Sequence, residues 1–265
     1  MPDTEITPKD IQTVILAGGR GTRLKEETSV IPKPMVYIGD KPILFHIMSH
    51  YSYYGFKEFI ICLGHKGHVI KEFFLDLPKY TSDLVIDGKN KHHKYEDVVD
   101  WKVSLIETGE HTLTATRLFR VKNHIKAPHF CLTYGDGLSN IPLDKELSFH
   151  LEHGKSGTIA AVHPASRFGN IEIGEDGIVE SFKEKEKLRH EYINGGFFIF
   201  KREFLDRLSP NENQSLESEP LSKLSEDGEL YAYKHDDFWQ CMDTVRDREY
   251  LEEIYESGQA PWVGE

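Results

Sequence analysis

A glycine-rich loop follows the first apolar run of the chain. Residues 13–16 are apolar or β-branched, and residues 18–24 then read Gly-Gly-Arg-Gly-Thr-Arg-Leu. Glycines let a backbone approach a phosphate without a side-chain clash, and successive N–H groups in such a turn can bind an anion. Thr22 adds a hydroxyl donor and Arg23 a permanent positive charge. We therefore predict a phosphate-binding loop whose contacts are Leu16, Gly18, Gly19, Gly21, Thr22 and Arg23.

A lysine framed by two prolines stands shortly after this loop. Lys33 lies between Pro32 and Pro34, which restrict the backbone on both sides. Its predicted role is to neutralise charge on a triphosphate. A dinucleotide-binding fingerprint is excluded because Leu24 stands where its last glycine belongs, and a P-loop is excluded because no Gly-Lys-Ser/Thr ends the loop. A plain glycine turn is the remaining alternative.

A second glycine turn carries an acid. Gly135-Asp136-Gly137 follows the apolar run 129–134. An aspartate at such a strand end can reach a bound cation, and the flanking glycines leave room for a ligand. Asp243, near the start of a predicted helix, is a second candidate acid. The alternatives are a turn aspartate at position 136 and a helix N-cap at position 243.

Predicted strands and helices alternate through the first 150 residues. The strands cover 13–16, 59–63, 103–106 and 129–134, and the helices cover 42–54, 69–75, 113–121 and 144–153. This alternation predicts a mostly parallel sheet with helices on both faces. In such sheets a ligand lies beyond the carboxyl ends of the strands. Because both glycine turns fall at such ends, we predict that they form one site.

Strands follow one another closely beyond about residue 155. They are predicted at 158–163, 169–173, 178–182 and 192–200, with a hairpin turn at 175–177, and a helix over 244–256 closes the chain. We predict one domain, 1–265, with halves of about 11–155 and about 156–265 on the same sheet. Residues 1–10 are predicted to be a flexible extension. Lys89 to Lys94, including His92 and His93, are predicted to form a solvated loop.

The composition limits the classes of protein and partner. A formal net charge of −12 argues against a nucleic-acid partner. The cysteines, Cys62, Cys131 and Cys241, form no Cys-x-x-Cys pair and indicate a reducing compartment, which we take to be the cytoplasm. The chain has no apolar segment of signal-peptide type and no run of about 18 apolar residues, so no membrane partner is predicted.

These motifs together resemble the sugar-1-phosphate nucleotidyltransferase family. The resemblance is carried first by residues 18–24, 26–28 and 32–34. The Glu-Glu-Thr at 26–28 and the stretch 35–44 look most like the glucose-1-phosphate cytidylyltransferases. The similarity continues in matching order through residues 59–67, 134–137, 167–169, 194–198, 238–246 and 258–262.

The resemblance implies a fold and a reaction. The expected fold is a Rossmann-like, three-layer α/β fold with a mostly parallel sheet, a nucleotide-binding first half and a smaller, β-rich sugar-binding part. The expected partners are CTP and glucose-1-phosphate, which give CDP-glucose and pyrophosphate for a surface polysaccharide. Mg²⁺ is the implied cofactor, held by Asp136 and Asp243, and a homo-oligomer is the implied assembly.

The resemblance also assigns roles to single residues. It implies that Arg23, Lys33, Asp136 and Lys185 are catalytic. It places Thr108, Gly109 and Arg117 near the nucleotide. The sugar-binding residues that it implies are Tyr134, Gly169, Glu184, Lys185 and Asn194. A solvated, charged strand edge is the alternative for residues 183–189, and a β-bulge is the alternative for residues 194–196.

Three other functions compete with this one. A thymidylyl- or uridylyltransferase would run the same reaction on another base. A glycosyltransferase would use Asp136 as its metal acid but would not need the glycine loop and Lys33. A non-catalytic nucleotide-sugar sensor would be expected to lack a metal acid or the triphosphate lysine, and this chain has both acids and Lys33.

Overall fold

The computed structural model describes residues 6–19, 21, 24, 30–90, 92–96, 99–164, 170–173, 177–183 and 191–263. The strands are β1 Gln12–Leu16, β2 Tyr37–Ile38, β3 Lys41–Pro42, β4 Glu58–Leu63, β5 Asp83–Asp87, β6 His92–Glu96, β7 Lys102–Glu107, β8 His129–Tyr134, β9 Gly137–Ser139, β10 Gly157–Val162, β11 Asn170–Ile173, β12 Val179–Lys183, β13 Ile193–Lys201, β14 Leu230–His235 and β15 Trp239–Cys241. The α-helices are α1 Ile43–Tyr53, α2 Gly67–Asp76, α3 Pro78–Thr81, α4 Thr114–Val121, α5 Leu143–His153, α6 Glu219–Glu226 and α7 Val245–Glu256. Short 3₁₀ turns cover Pro8–Asp10, Lys33–Met35 and Arg202–Arg207.

A seven-stranded sheet forms the centre of the fold, in the order β14-β10-β13-β8-β1-β4-β7. Strand β1 runs parallel to both of its neighbours, β4 and β8. The pairs β4–β7 and β10–β14 are also parallel, whereas β13 runs antiparallel to both β8 and β10. The prediction of a mostly parallel α/β sheet is therefore confirmed.

Apolar packing covers both faces of this sheet. Successive side chains of a strand point to opposite faces. In β1, Ile15 belongs to one core cluster, and Val14 and Leu16 belong to the other. Strand β4 divides in the same way, with Ile61 on the first face and Ile60 on the second. Burial on two faces explains why these strands are nearly continuous apolar runs in the sequence.

The strands and helices predicted for the first half are present, with bounds that differ by at most a few residues at each end. The loop predicted around His92 and His93 is wrong, because these residues begin strand β6. Strand β6 pairs antiparallel with β5, which has every residue exposed. The turn between them is closed by Asp87, whose Oδ1 accepts hydrogen bonds from the backbone N–H groups of Lys89 and Asn90, both at 3.0 Å.

The second half contains elements that the sequence did not predict. Helix α6 and strand β14 follow the predicted strands, and β14 forms one edge of the main sheet. Strands β11 and β12 pair antiparallel, on either side of the predicted turn at 175–177. Residues 175 and 176 of that turn lie outside the described residues.

The predicted N-terminal extension is only partly described. Residues 1–5 lie outside the described residues. Pro8–Asp10 form a 3₁₀ turn, in which Asp10 accepts hydrogen bonds from the backbone N–H and the hydroxyl of Thr7, at 3.0 and 2.7 Å. Across the described ranges, none of the helices combines the length and the apolar character that crossing a membrane requires.

Candidate active site

A cavity of about 430 Å³ opens at the carboxyl ends of β1 and β8. The two glycine turns meet there, because a Cβ on Gly135 would lie 3.1 Å from the carbonyl oxygen of Leu16 and 3.0 Å from Cγ of Pro34. Gly18, Gly19, Gly21 and Gly135 all line this cavity, so the two turns lie together as predicted, and the function of the cavity stays a prediction. Residues that line the cavity include Leu16, Gly18, Gly19, Gly21, Lys33, Arg117, Tyr134, Asp136, Ser215, Glu217 and Asp243.

Lys33 bridges the two predicted metal acids. Its Nζ donates to Oδ2 of Asp136 at 2.7 Å and to Oδ1 of Asp243 at 2.6 Å. The 3₁₀ turn Lys33–Met35, which begins after Pro32, places the lysine at the cavity wall, where its side chain is 10% exposed. Burial alone would lower the pKa of Lys33, but both carboxylates outweigh it and raise that pKa above the usual value. The ammonium is therefore charged at neutral pH.

Strand pairing brings the two acids together from distant parts of the chain. Asp136 stands between β8 and β9, and Asp243 follows β15. Strand β9 pairs antiparallel with β15, so that Gly137 lies opposite Cys241. The backbone N–H of Met242 then donates to the carbonyl oxygen of Asp136 at 2.8 Å. The acids are thus placed by backbone hydrogen bonds, which fixes them before any ligand binds.

Helix capping does not explain Asp243. Helix α7 begins at Val245 and is capped by Thr244, whose Oγ1 accepts from the backbone N–H of Asp247 at 3.2 Å. Asp247 in turn accepts from the backbone N–H of Thr244 at 2.8 Å. The predicted alternative, an N-cap at position 243, is therefore wrong. The carboxylate of Asp243 points instead to the cavity and Lys33.

The acid pair fits a hard divalent cation. Mg²⁺ takes oxygen ligands and is commonly bound by one or two carboxylates together with substrate phosphates. Asp136 and Asp243 supply two carboxylates whose oxygens already share one cationic group. Within the part of the chain that the structure describes, no cluster of three or more metal-ligating side chains is present. The two carboxylates of Asp136 and Asp243 are the donor set expected where substrate phosphates complete the coordination.

Arg117 also lines the cavity and is held by main-chain acceptors. Its guanidinium donates to the carbonyl oxygens of Gly109 at 2.7 Å, Gly18 at 2.9 Å and Leu63 at 3.1 Å. It also donates to Oγ1 of Thr108 at 2.8 Å, and the residue is only 3% exposed. Arg117 therefore ties the glycine loop to the ends of β4 and β7. A direct contact with the nucleotide stays a prediction.

Gly18 has a structural reason in addition to the predicted one. A Cβ at this position would overlap the guanidinium of Arg117, and a Cβ on Gly64 would lie 2.5 Å from its Nη1. Gly19, by contrast, faces open space, with no atom within 4 Å of a built Cβ. The loop thus packs one glycine against the buried arginine and exposes the next to the cavity.

The predicted loop near the base is shaped by the same arginine. Thr108 is fully buried, and its Oγ1 donates to the carbonyl oxygen of Leu63 at 2.6 Å. Gly109 has a φ of +89°, a conformation that side chains rarely adopt. Its carbonyl accepts from Arg117. Both residues contact Arg117, which lines the cavity, and their predicted contact with the nucleotide stays a prediction.

Tyr134 and Asn194, two predicted sugar-binding residues, lie in contact. Nδ2 of Asn194 donates to the hydroxyl of Tyr134 at 3.3 Å. The predicted bulge alternative at residues 194–196 is confirmed, because the register of β13 against β10 shifts there. Gly196 has a φ of +78°, and a Cβ on it would lie 2.5 Å from the ring of Tyr134. The glycine is therefore required by the tyrosine that packs on it.

The sequence analysis missed Glu217. Its carboxylate accepts hydrogen bonds from the hydroxyls of Tyr134, Thr114 and Ser215. Burial would raise the pKa of Glu217, but the hydrogen bonds from Ser215, Tyr134 and Thr114 hold it below the usual value. The polar stretch around residue 217 carries no motif, and the residue reaches the cavity only through long-range contacts. The one local feature of the sequence that points to Glu217 is its position directly after Leu216, an apolar residue that the fold buries.

Several predicted site residues fall outside the described part of the chain. These are Thr22, Arg23, Gly169, Glu184 and Lys185. Their predicted roles in phosphate and sugar binding stay predictions.

Comparison with known proteins places the chain in a family. The family described as nucleotidyl transferase matches residues 12–255. A glucose-1-phosphate cytidylyltransferase of Salmonella typhi is 48% identical over 257 residues, which cover 95% of this chain and 98% of that protein. An enzyme of the same name from Salmonella typhimurium is also 48% identical, with the same coverage. Among solved structures, HddC from Yersinia pseudotuberculosis has a TM-score of 0.68 at 25% identity and covers 92% of this chain and 99% of its own.

Proposed function

Because the chain belongs to the nucleotidyl transferase family, we propose that it transfers the cytidylyl group of CTP to glucose-1-phosphate and releases pyrophosphate. The near full-length similarity to glucose-1-phosphate cytidylyltransferases supports CDP-glucose as the product. The observation that carries the proposal is the contact of Lys33 with both Asp136 and Asp243 beside the glycine loop. A cation and two acids beside a glycine turn support the binding of a nucleoside triphosphate with its metal ion.

The proposed chemistry is a direct in-line displacement. An oxygen of the sugar phosphate attacks the α-phosphorus of CTP, a new P–O bond forms, and the bond to the β-phosphate breaks. Pyrophosphate leaves with the electron pair of that bond. A phosphate monoester is already an anion at neutral pH, so no protein nucleophile is required. Catalysis then rests on positioning and on stabilisation of charge.

The residues of the chain supply positioning and charge. Asp136 and Asp243 would hold Mg²⁺, which contributes positive charge to the reacting phosphates when it is bound. Lys33 stays protonated because of its raised pKa and offsets the charge that develops on pyrophosphate. Arg23 and Lys185 are the proposed further cations, at the triphosphate and at the sugar phosphate.

Pyrophosphate release tests the proposal. The protein is incubated with Mg²⁺ and glucose-1-phosphate, and CTP, dTTP, UTP, ATP and GTP are tried in turn. Release with CTP alone is the expected result. Release with dTTP or UTP would overturn the base assignment while leaving the reaction class intact, and no release with any of the five would count against the proposal.

A matched pair of variants connects the signal to this site. Asp136→Asn is expected to lower kcat by about 100-fold or more, because the cation loses a charged ligand. Asp40→Asn is the control, since Asp40 pairs with Lys41 outside the cavity and its side chain is 65% exposed. Near-normal turnover in Asp136→Asn would remove this residue from the proposed mechanism.

We also propose a homo-oligomer that works in the cytoplasm. The similarity to the family motivates the first statement, and sedimentation of the purified protein tests it. The free thiols of Cys62, Cys131 and Cys241 support the second.

A further inference from the structure

A short segment of the second half is fastened to the start of helix α4. We call residues 212–217 together with residues 113–116 the clasp. The first N–H groups of a helix have no partners within the helix. Here Asn213 Oδ1 accepts from the N–H of Leu113 at 2.7 Å, and the carbonyl of Gln214 accepts from that of Ala115 at 3.1 Å. Further bonds run from Leu216 N to Thr114 Oγ1 (2.7 Å), from Thr116 Oγ1 to the carbonyl of Glu212 (2.8 Å) and from Gln214 N to Thr116 Oγ1 (2.9 Å).

The clasp presents one carboxylate to the cavity. Leu216 is fully buried, which anchors the segment, and Glu217 directly after it is exposed and lines the cavity. The Oε2 atom of Glu217 accepts from the hydroxyl of Thr114 at 2.9 Å and from that of Ser215. The Oε1 atom accepts from the hydroxyl of Tyr134. These donors fix the carboxylate and keep it ionised.

The charge of Glu217 is opposite to what phosphate binding requires. Both proposed substrates carry phosphates, and an ionised carboxylate repels them. Lys33, which contacts Asp136 and Asp243, lines the same cavity. The neutral, hydroxyl-bearing parts of the substrates are the groups that a carboxylate can bind, because a hydroxyl donates and an ionised carboxylate only accepts. Glu217 is therefore suited to the hydroxyl groups of the substrates and not to their phosphates.

The hydrogen-bonding capacity of Glu217 is not exhausted. A carboxylate oxygen has about two acceptor sites. The bonds from Thr114 and Ser215 fill those of Oε2, whereas the bond from Tyr134 leaves one on Oε1. Tyr134 also accepts from Asn194, so a chain of hydrogen bonds connects Glu217 to two of the predicted sugar-binding residues.

We propose that Glu217 is a specificity-determining residue that accepts a hydrogen bond from a sugar hydroxyl of a substrate. The inference rests on the proposed function, which supplies two such sugars: the hexose of the sugar phosphate and the ribose of the nucleotide. Their shared chemistry is a hydroxyl donor, and kinetic measurements on each substrate distinguish them.

The test compares Glu217→Gln with the wild-type protein on normal and deoxy substrates. Glutamine keeps the shape of the side chain and removes its charge. We expect KM for one substrate to rise about tenfold, because the hydrogen bond loses its charged acceptor, with a smaller change in kcat. A rise for glucose-1-phosphate identifies the hexose, and a rise for CTP identifies the ribose.

Deoxy analogues identify the hydroxyl itself. The wild-type protein should prefer the normal substrate over the analogue that lacks the recognised hydroxyl by about tenfold in kcat/KM. The 2-, 3- and 4-deoxy forms of glucose-1-phosphate serve for the hexose, and 2′- and 3′-deoxy-CTP serve for the ribose. In Glu217→Gln this preference should fall close to one, which a residue with only a structural role would not cause.

Two further variants serve as a control and as a second test of Glu217. Glu219→Gln removes an exposed acid at the start of helix α6, two residues further along, that pairs with Lys223, and it should leave all constants unchanged. Glu217→Asp withdraws the carboxylate by one methylene and should lose the same preference, which serves if the glutamine variant does not fold. Constants and preferences within twofold of wild type in a folded Glu217 variant would overturn the proposal.

Direct binding separates this proposal from the proposed function. Calorimetric titration of glucose-1-phosphate and CTP requires no turnover. If the wild-type protein makes no CDP-glucose but Glu217→Gln still binds one of these ligands about tenfold more weakly, the proposed function fails and the role of Glu217 stands. Equal binding of both ligands by both proteins would overturn the role of Glu217 independently of the reaction.

Discussion

Two buried cations border the same cavity, and they are held in different ways. Lys33 donates to two side-chain carboxylates, those of Asp136 and Asp243. Arg117 donates mainly to backbone carbonyls, which come from three separate segments of the chain. Both residues are almost inaccessible to solvent, at 8% and 3% exposure. From sequence alone, both were predicted to contact the nucleotide.

From this difference in partners we expect Lys33 to act on ligands and Arg117 to hold the structure together. A carboxylate can exchange one cation for another, because a metal ion satisfies it as well as an ammonium does. A buried carbonyl has no such substitute, since losing its donor leaves an unpaired polar group in the protein. We therefore expect Lys33 to exchange its partners when ligands bind and Arg117 to keep its own.

The largest effect is expected from Arg117→Met. The substitution removes the guanidinium from the carbonyls of Gly18, Leu63 and Gly109. The first two keep a backbone donor each, whereas that of Gly109 loses its donor, and we expect a loss of about 3 kcal/mol in the free energy of unfolding. Urea unfolding measures it. Arg120→Met is the matched control, because Arg120 is an exposed arginine one turn along α4 and should cost less than half as much. A variant of normal stability with a raised KM for the nucleotide would reverse the comparison.

Lys33→Met should act on turnover and on the response to metal. We expect kcat to fall by about 100-fold, or about 2.7 kcal/mol of transition-state stabilisation. The variant removes the Lys33 ammonium from two facing carboxylates, so Mn²⁺ added without nucleotide should raise its Tm. The wild-type protein should respond less, since its ammonium competes for the same oxygens.

Lys57→Met is the control for this experiment. Lys57 also pairs with an acid, Asp100, but lies away from the cavity and is more exposed. Its substitution should change neither kcat nor the response to Mn²⁺. Equal shifts of Tm by Mn²⁺ in the wild-type protein and in Lys33→Met would show that the lysine does not compete with the metal.

The contrast also shows what the sequence can and cannot predict. The strand of residues 12–16, the glycine turns and the acids at positions 136 and 243 follow from local patterns, because strand ends in a parallel sheet point to one edge. The partners of Arg117 do not follow, since they come from residues 18, 63 and 109 and are fixed only by the three-dimensional packing. For Lys33 and for Arg117 the residue type predicts a positive charge. It does not predict which groups of the protein accept hydrogen bonds from that charge.

Two other features lay beyond sequence patterns for the same reason. Glu217 enters the cavity through the clasp, whose hydrogen bonds span about a hundred positions of the chain. Strand β6, which was predicted to be a loop, has the polar sequence His-His-Lys-Tyr-Glu and, among the described residues, pairs with the exposed β5. Because its residues are polar, the sequence pattern did not predict this hairpin. Strands of the main sheet were predictable because burial on both faces makes them apolar.

Glu146 on helix α5 is a third buried ionisable group and extends the comparison. It is 1% exposed, and among the described residues its Oε1 atom has no hydrogen-bond partner. Burial raises the pKa of Glu146 to about 8, from an ordinary value of 4.5. The folded protein therefore holds this proton more tightly than the unfolded chain does.

The sign of the pH dependence follows from that difference. The stabilisation is complete below a pH of about 4.5 and is lost as the pH rises toward about 8, at up to about 1.4 kcal/mol per pH unit. Glu146→Gln is neutral at every pH, so its unfolding free energy should decline less than that of the wild-type protein across this window. Glu152→Gln, an exposed acid on the same helix, should retain the wild-type slope. Parallel slopes for wild type and Glu146→Gln would show that the carboxyl finds a partner on ionisation.

The smallest effect is expected where Arg117 meets a side chain instead of a carbonyl. The hydroxyl of Thr108 accepts from Arg117 and donates to the carbonyl of Leu63, so Thr108→Val removes one link from the arginine's set of partners. We expect a loss of about 1 kcal/mol in the free energy of unfolding, since Arg117 keeps its carbonyl partners. Thr108→Ser keeps the hydroxyl and should cost less. In the double variant with Arg117→Met the two losses should not add, because both substitutions break the same network. Full additivity would mean that Thr108 and Arg117 stabilise the protein separately. Arg117 would then not be the residue that connects these hydrogen bonds into one network.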